Sequence, residues 1–592
     1  MAANRRKLPM TNWYNPIVLV ATAIRVAIST VFGQLADRRE AIAASNAIEP
    51  QPHDATFNLS DVQDDFWFDF LADTGDGWNS TYAMARLLSD PTIEATGADP
   101  LPRGRVLFIG GDLVYPTASR KEYDERFLAP FEEAYKPTGS TPKWPEDELK
   151  LFAIPGNHDW YDGLNSFFGL FCRRRVKPTI GIGFDREGRS VAGRATFQTR
   201  SYFAVQLPGN WWIWGTDSQL EGYIDQPQID YFLHAAQHWM APGSKVILLV
   251  GQPSWAYVDP KEPHPTFSNF SYLERLAGAA KDEKKQSKGH KLKLVLTGDA
   301  HHYARFTEDD RTYITCGGGG AFLHPTHQLG DREFKWDYPP PGVKYECGEE
   351  YRRTFKIASN DKGEALYPSR SQSRRLTWWN LAFAAINWPF TLTLMVAYLL
   401  FHWLLHFTAR VTGAGSLDGA LGNGSFWQAA VSYWELILSS PAAFILILVA
   451  LGAYIYAADC KKWRLRILMG GLHALAQAVI VTSATIVVLW MLPSLAPILA
   501  ISAAAVVAAI ASATTYGLYL LLCLLAWGRH WNEGFSSFAH RGFKAMLRMK
   551  ISPAGQLTIF PVGLTKVPKD RGKQPRNPKL EPHLIEGPIV IS

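Results

Sequence analysis

Hydrophobic positions along the chain follow two regimes. Between residues 60 and 320, apolar runs of four to six residues recur at 66–71, 105–109, 151–154, 245–250 and 292–296. Each leads within two residues into Gly, Asp, Asn or His, and helical patterns intervene at 81–88 and 122–135. Short, largely apolar runs closed by turn residues predict buried strands, and their alternation with helices predicts an α/β domain. In such sheets ligands gather beyond the carboxyl ends of the strands.

Farther along, the apolar stretches lengthen to 380–409, 427–457, 467–491 and 494–527. Each exceeds the roughly 20 residues that cross a bilayer as a helix, and lipid offers a bare backbone no other hydrogen-bond partner. The pattern predicts an α-helical transmembrane domain of four spans over 376–527. Near the start of the chain, Ile17, Val20, Ile24, Ile28, Val31 and Leu35 recur at helical spacing, opposite Thr22, Arg25 and Ser29. This predicts an amphipathic helix within 1–59, either lying on a membrane surface or packed on the soluble domain.

Charge sharpens this division. Of 592 residues 19% are charged, yet 376–527 holds only eight charged side chains. The net +6 is uneven as well: 1–375 sums to −3, whereas 528–592 sums to +7. A basic nucleic-acid-binding body is excluded, and no nucleic-acid partner is expected. Arg370, Arg374 and Arg375 precede the first long run. Lys461, Lys462, Arg464 and Arg466 separate the second and third, and Arg529, Arg541, Lys544, Arg548 and Lys550 follow the fourth. The positive-inside rule then places both the soluble domain and the tail in the cytoplasm. The five cysteines include no CxxC pair, so neither a disulfide framework nor a cysteine zinc site is indicated. His402, His406, His473 and Glu435 lie in or near the long runs. Snorkelling or helix–helix hydrogen bonding accounts for them, with a proton path as the alternative.

The candidate chemistry sits in the turns after the short runs. These read Asp73-Thr74-Gly75-Asp76-Gly77, Gly110-Gly111-Asp112-Leu113-Val114-Tyr115, Gly156-Asn157-His158-Asp159, Gly251-Gln252-Pro253 and Gly298-Asp299-Ala300-His301-His302. Carboxylates, an amide oxygen and imidazoles on strand ends are ligands for hard or borderline divalent metals. A pair of such metals can activate water and clamp a phosphoryl group. One Asp after a strand is usually a helix cap; five turns in this order are another matter.

The series resembles the calcineurin-like metallophosphoesterase superfamily, whose blocks are D-x-H, G-D, G-N-H-[DE], H-x-P and G-H-x-H. Asp112 through Tyr115 also resembles the G-D-x-x-Y block of purple acid phosphatases, where the tyrosine is a metal ligand. The resemblance implies a metallophosphoesterase-type β-sandwich flanked by helices, with two divalent metals (Mn, Fe or Zn). It assigns Asp73 to the first metal, Asp112 to a bridge, Asn157 to the second metal and His301 to the closing ligand. His158 becomes the acid or charge stabiliser at the leaving group.

Three blocks depart from that pattern. Gly75 stands where the first has His, with Tyr115 or Asp76 as compensating ligands. Gly251 stands where the fourth has His, and Asp299 replaces the first His of the last block. His302, His324 or His327 then supplies the missing nitrogen, or the second metal site is weakened. The Asp299-Ala300-His301-His302-Tyr303 run also resembles a membrane-associated metallophosphoesterase group in which an AGDLHHY-like sequence replaces G-H-x-H.

Together these readings give an N-terminal helix region (1–59), a phosphoesterase domain (60–375), a membrane domain (376–527) and a basic tail (528–592). Part of the tail, 556–563, reads as a strand that completes the catalytic sheet. The expected function is hydrolysis of a phosphomonoester or phosphodiester, including lipid-linked ones, beside a lipid bilayer. The alternative is a catalytically weakened, ligand-binding regulatory protein. Nothing in the sequence sets an oligomeric state.

Overall fold

The computed structural model describes residues 6–33, 39, 57–135, 149–172, 190–196, 198–218, 224–279, 287–361, 363–422, 424–569 and 579–592. Leu35 and much of the basic run after residue 566 lie outside them. The chain divides into two compact units, one of 1–11, 21–372 and 540–592, the other of 12–20 and 373–539.

Two mixed nine-stranded sheets build the first unit. In chain order the strands are β1 (Phe66–Leu71), β2 (Val106–Gly110), β3 (Lys150–Ile154) and β4 (Arg194–Thr196). Next come β5 (Phe203–Leu207), β6 (Trp211–Gly215), β7 (Lys245–Val250) and β8 (Lys291–Thr297). They are followed by β9 (Tyr303–Glu308), β10 (Arg311–Cys316), β11 (Arg332–Trp336) and β12 (Tyr351–Ile357). After the apolar helices come β13 (Lys544–Ile551) and β14 (Leu557–Leu564), and short strands of two or three residues complete both sheets. One sheet runs β14-β13-β1-β2-β3-β4 through its middle; the other runs β11-β12-β9-β10-β8-β7-β6-β5.

The strands are apolar on both faces because both faces are covered. Phe108 and Phe152 pack on Phe203 at ring distances of 6.0 and 5.2 Å, joining the sheets face to face. The alternate residues Leu107, Ile109, Leu151 and Ala153 enter a second cluster with Met84, Leu87 and Leu88 of a flanking helix. On the far side Trp212, Trp214, Val246 and Leu248 pack with Phe267, Phe270 and Leu273. The result is a helix–sheet–sheet–helix sandwich.

The first sheet is completed from the far end of the sequence. β13 pairs antiparallel with β1, setting Arg548 opposite Asp69. The guanidinium grips the carboxylate through two bonds, Nε to Oδ1 at 2.7 Å and Nη2 to Oδ2 at 3.2 Å. Both side chains are wholly buried, and Asp69 lies on β1 four residues before Asp73 in the turn that follows it.

Within 16–33 a helix forms, α1 (Pro16–Gly33). Its polar side is the held one. Arg25 bonds Thr117, and Ser29 Oγ donates to the Trp160 carbonyl at 3.1 Å. Ile24, Ile28 and Val31 are exposed.

In the second unit three helices are long and apolar enough to cross a membrane: Trp388–Val411, Trp463–Met491 and Pro497–Trp527. The expected second span, 427–457, is instead two helices, Phe426–Ser439 and Pro441–Ala457, bent by 100°. Pro441 has no N–H to continue the ladder, and Ser440 Oγ accepts from Ala443 N to cap the second piece. Among the described residues, the expected four spans are thus met by three helices, or by four if the bent pair counts as one. His402 Nε2 meets Thr485 Oγ1 at 2.9 Å, joining two of these helices.

The buried Asp69–Arg548 pair makes a clear prediction. Arg548→Leu strands a buried carboxylate and should cost about 3–5 kcal/mol, read as a lowered unfolding midpoint of the purified protein. The double change Asp69→Leu/Arg548→Leu should recover most of that loss; a double variant as unstable as the single one would refute the pairing argument.

Candidate functional site

Three aspartates at strand ends frame the site. Asp73 follows β1, Asp112 follows β2 and Asp299 follows β8, with φ of 56°, 51° and 64°. Non-glycine residues rarely take this left-handed conformation, and Asp is among the few that tolerate it. β1 and β2 are parallel neighbours, Leu71 opposite Ile109, so their turns emerge side by side and bond to each other. Asp73 N donates to Gly111 O at 3.1 Å, Thr74 N to Asp112 O at 2.9 Å and Tyr115 N to Gly75 O at 3.1 Å.

The Tyr115 hydroxyl is the hub of one half. It lies 3.0 Å from Asp73 Oδ1, 3.2 Å from Asp112 Oδ2 and 2.9 Å from His301 Nε2. His324 stacks on His301 with ring centres 3.9 Å apart, and its Nδ1 accepts from His301 N at 3.2 Å.

The other half is the Asn157–His158 loop. It approaches so closely that a Cβ on Gly156 would sit 2.1 Å from Asp112 Oδ1. His158 N donates to that same oxygen at 2.9 Å, while its ring Nδ1 lies 2.7 Å from the Pro116 carbonyl. A carbonyl only accepts, so Nδ1 carries the proton; burial holds the ring's pKa down at about 4, keeping it neutral. Asp159 fastens the loop from behind. It accepts from Gly156 N at 2.9 Å and Tyr123 OH at 2.6 Å, and also from Leu113 N.

The carboxylates are crowded. Burial raises Asp73 far above the usual range, and its neighbours Asp112 and Asp299 raise it further. Burial pushes Asp112 up to about 6, and burial with the Asp112 charge pushes Asp299 up to about 7. Lys544, the first residue of β13, is buried here. Desolvation lowers it to about 7 against the pull of Asp76 and Asp73, and it donates to the Ala321 carbonyl.

Among the described residues no three His, Cys, Asp or Glu side chains are grouped as a ready-made metal cluster. A tyrosine and an asparagine complete the donor set instead. Asp73 Oδ2 and Asn157 Oδ1 are buried with no hydrogen-bond partner. Orphaned oxygens beside mutually repelling carboxylates fit a divalent cation.

The compensating candidates sort by geometry. A Cβ at Gly75, where φ is +48°, would lie 2.0 Å from Leu113 O, so the turn has no room for an imidazole. At Gly251 a Cβ would meet only Ser218 Oγ, at 3.3 Å. Asp76 points elsewhere, its oxygens accepting from Thr11 N at 2.8 Å and Phe322 N at 3.2 Å. His302 is buried, its Nδ1 without a partner; His327 is buried, its carbonyl accepting from Arg370 at 3.1 Å. Sequence reasoning missed Asp159, Tyr123 and Lys544. Asp159 sits inside a motif and was findable; Lys544 lies beyond all the apolar helices, where no local signal marks it.

No curated protein matches the chain. Solved structures are similar to it, two of them as follows. One is GAP50, the anchor in the inner membrane complex of Plasmodium, at a TM-score of 0.29 and 11% identity, covering 51% of this chain and 84% of that one. The other is PhoD, at a TM-score of 0.25 and 9% identity, covering 44% and 58%. The family model of the calcineurin-like phosphoesterases matches residues 66–303, the stretch that carries β1, β2, β3 and β8 and every aspartate of the site. This chain therefore contains a calcineurin-like phosphoesterase domain.

Proposed function

We propose that the protein is a metal-dependent phosphoesterase anchored in a membrane, with the phosphoesterase domain and tail on the cytoplasmic side. The observation that carries the catalytic reading is the convergence of Asp73, Asp112 and His301 on the Tyr115 hydroxyl, with Asp73 Oδ2 and Asn157 Oδ1 left unpartnered. Asp73, Asp112, Tyr115 and His301 would hold one cation, and Asn157, Asp112 and Asp299 a second. Bound there, divalent cations supply Lewis-acid polarisation of a phosphoryl oxygen and acidify the attacking water.

The protein's own part is orientation and proton handling. Asp159 and Gly156 fix the loop that carries Asn157 and His158. A phosphoryl dianion entering this low-dielectric pocket raises the His158 pKa from its depressed value, and the protonated ring then donates to the leaving oxygen. The basic flanks of the apolar helices support the orientation. Nearness to a bilayer favours lipid-linked phosphomonoesters or phosphodiesters as substrates.

A second reading, a weakened binding module, is favoured by the all-oxygen composition of the Asn157–Asp112–Asp299 half. Metal analysis separates the two. Purified protein saturated with manganese should hold two equivalents, falling to one in Asp299→Asn; zero equivalents in the parent protein would refute the metalloenzyme.

Two activity predictions follow from the roles assigned. Asp112→Asn should lower manganese-dependent hydrolysis of an aryl phosphate by about a thousandfold or more, and undiminished turnover in a folded variant would sink the mechanism. His158→Ala should slow an alkyl phosphoester by about 10²–10⁴-fold, the range of general acid catalysis. The same change should affect a nitrophenyl ester, whose leaving group needs no proton, by less than about tenfold. Equal losses on both esters would remove His158 as the acid.

A further inference from the structure

Four helices of the second unit, α2 (Trp388–Val411), α3 (Phe426–Ser439), α4 (Pro441–Ala457) and α5 (Trp463–Met491), border a half-open cavity of about 470 Å³. Its wall is mainly apolar and includes Phe401, Ile437, Leu451, Ala474 and Ala478. The lining stretches lie near the middle of α2 and α5, well away from their ends. The 100° bend between α3 and α4 keeps the two from packing as one rod, leaving this space beside them.

Two polar groups of the wall, Gln477 and Tyr398, are engaged within the helices, while the buried Tyr433 hydroxyl has no hydrogen-bond partner. Gln477 Oε1 accepts from Ser512 Oγ at 2.6 Å, and its Nε2 donates to Ser512 O at 3.2 Å. The Tyr398 hydroxyl meets Ser512 Oγ at 2.9 Å. Left unfilled, an apolar cavity this large forfeits contacts along its whole lining. A polar solute would find few donors here; a hydrocarbon chain would find continuous contact. The volume falls within the roughly 300–1,000 Å³ of ligand sites.

We propose that this cavity is a binding site for one acyl chain of a bilayer phospholipid, with its headgroup at the interface. The site rests on reading these helices as membrane-embedded, but not on any catalytic activity. The test uses the full chain in nanodiscs of phosphatidylcholine carrying a diazirine near the acyl terminus, with photolysis and peptide mapping. Cross-links should concentrate on the half-buried Ala474 and Ala478 rather than on Leu472 and Val479, outward-facing residues of α5. Ala474→Phe, which fills the cavity, should lower the lining cross-links about tenfold, the loss of roughly two methylenes of contact, and leave those at Val479 unchanged. Ala450→Phe on the facing helix serves if that variant does not fold. Labelling no stronger inside than at Val479, or indifferent to both variants, would overturn the site. Preferential labelling by a diazirine polyprenyl phosphate would overturn the acyl assignment. Release of the parent protein by alkaline carbonate would refute the membrane reading itself, separately from the cavity.

Discussion

The mutual repulsion of three clustered carboxylates, two buried and one half-buried, governs the architecture around the site. Asp73, Asp112 and Asp299 are brought together by left-handed turns at the ends of three strands, in a setting where each disfavours the charge of the others. Much of what surrounds them offsets that charge. The Tyr115 hydroxyl bridges two of them, the backbone amides of His158 and Asp299 donate to Asp112 and Asp73, and the buried cation of Lys544 stands by. Glycine walls let the loops close in: a Cβ at Gly317 would come within 2.3 Å of Asp73 Oδ2. The arrangement is a concave, oxygen-rich anion cluster, the complement of a hard or borderline cation.

The two halves differ in kind. The Tyr115 half gathers carboxylates, a phenol and an imidazole in direct contact. The Asn157 half offers an amide oxygen and the His158 ring, itself held on the Pro116 carbonyl, and Gly251 contributes no side chain. The two glycines that depart from the family pattern are not equivalent either. Gly75 is demanded by its own backbone and by the Leu113 carbonyl beside it, whereas Gly251 leaves space. One departure is built into the turn; the other is a vacated place on a strand end.

Much of this was legible in the sequence because it is local. A strand followed at once by Asp, or by Gly-Asn-His-Asp, states both the element and the group it presents, and the spacing from Asp112 to Tyr115 sets a phenol beside a carboxylate. What escaped is non-local or concealed by chemistry shared with other roles. Nothing near residue 544 signals a lysine beneath Asp76. Asp76 itself, a plausible ligand by position, is taken by the backbone amides of Thr11 and Phe322. The bend at Ser440–Pro441 was written in the sequence, but counting apolar residues passes over it, since hydropathy does not register a missing amide hydrogen. In α1 the amphipathic spacing was plain, yet spacing does not say which side is held; the polar side is, through Arg25 and Ser29.

The pairing of β13 with β1 has a consequence for biosynthesis. Asp69 and Arg548 are 479 positions apart, and every apolar helix of the second unit is translated between them. While those helices emerge, β1 has only β2 beside it and its other edge is bare, with the Asp69 carboxylate waiting for its guanidinium. An open edge of this kind invites pairing with other chains. The strand that leads to the first aspartate of the site thus depends for its completion on a segment translated only after all the long apolar helices.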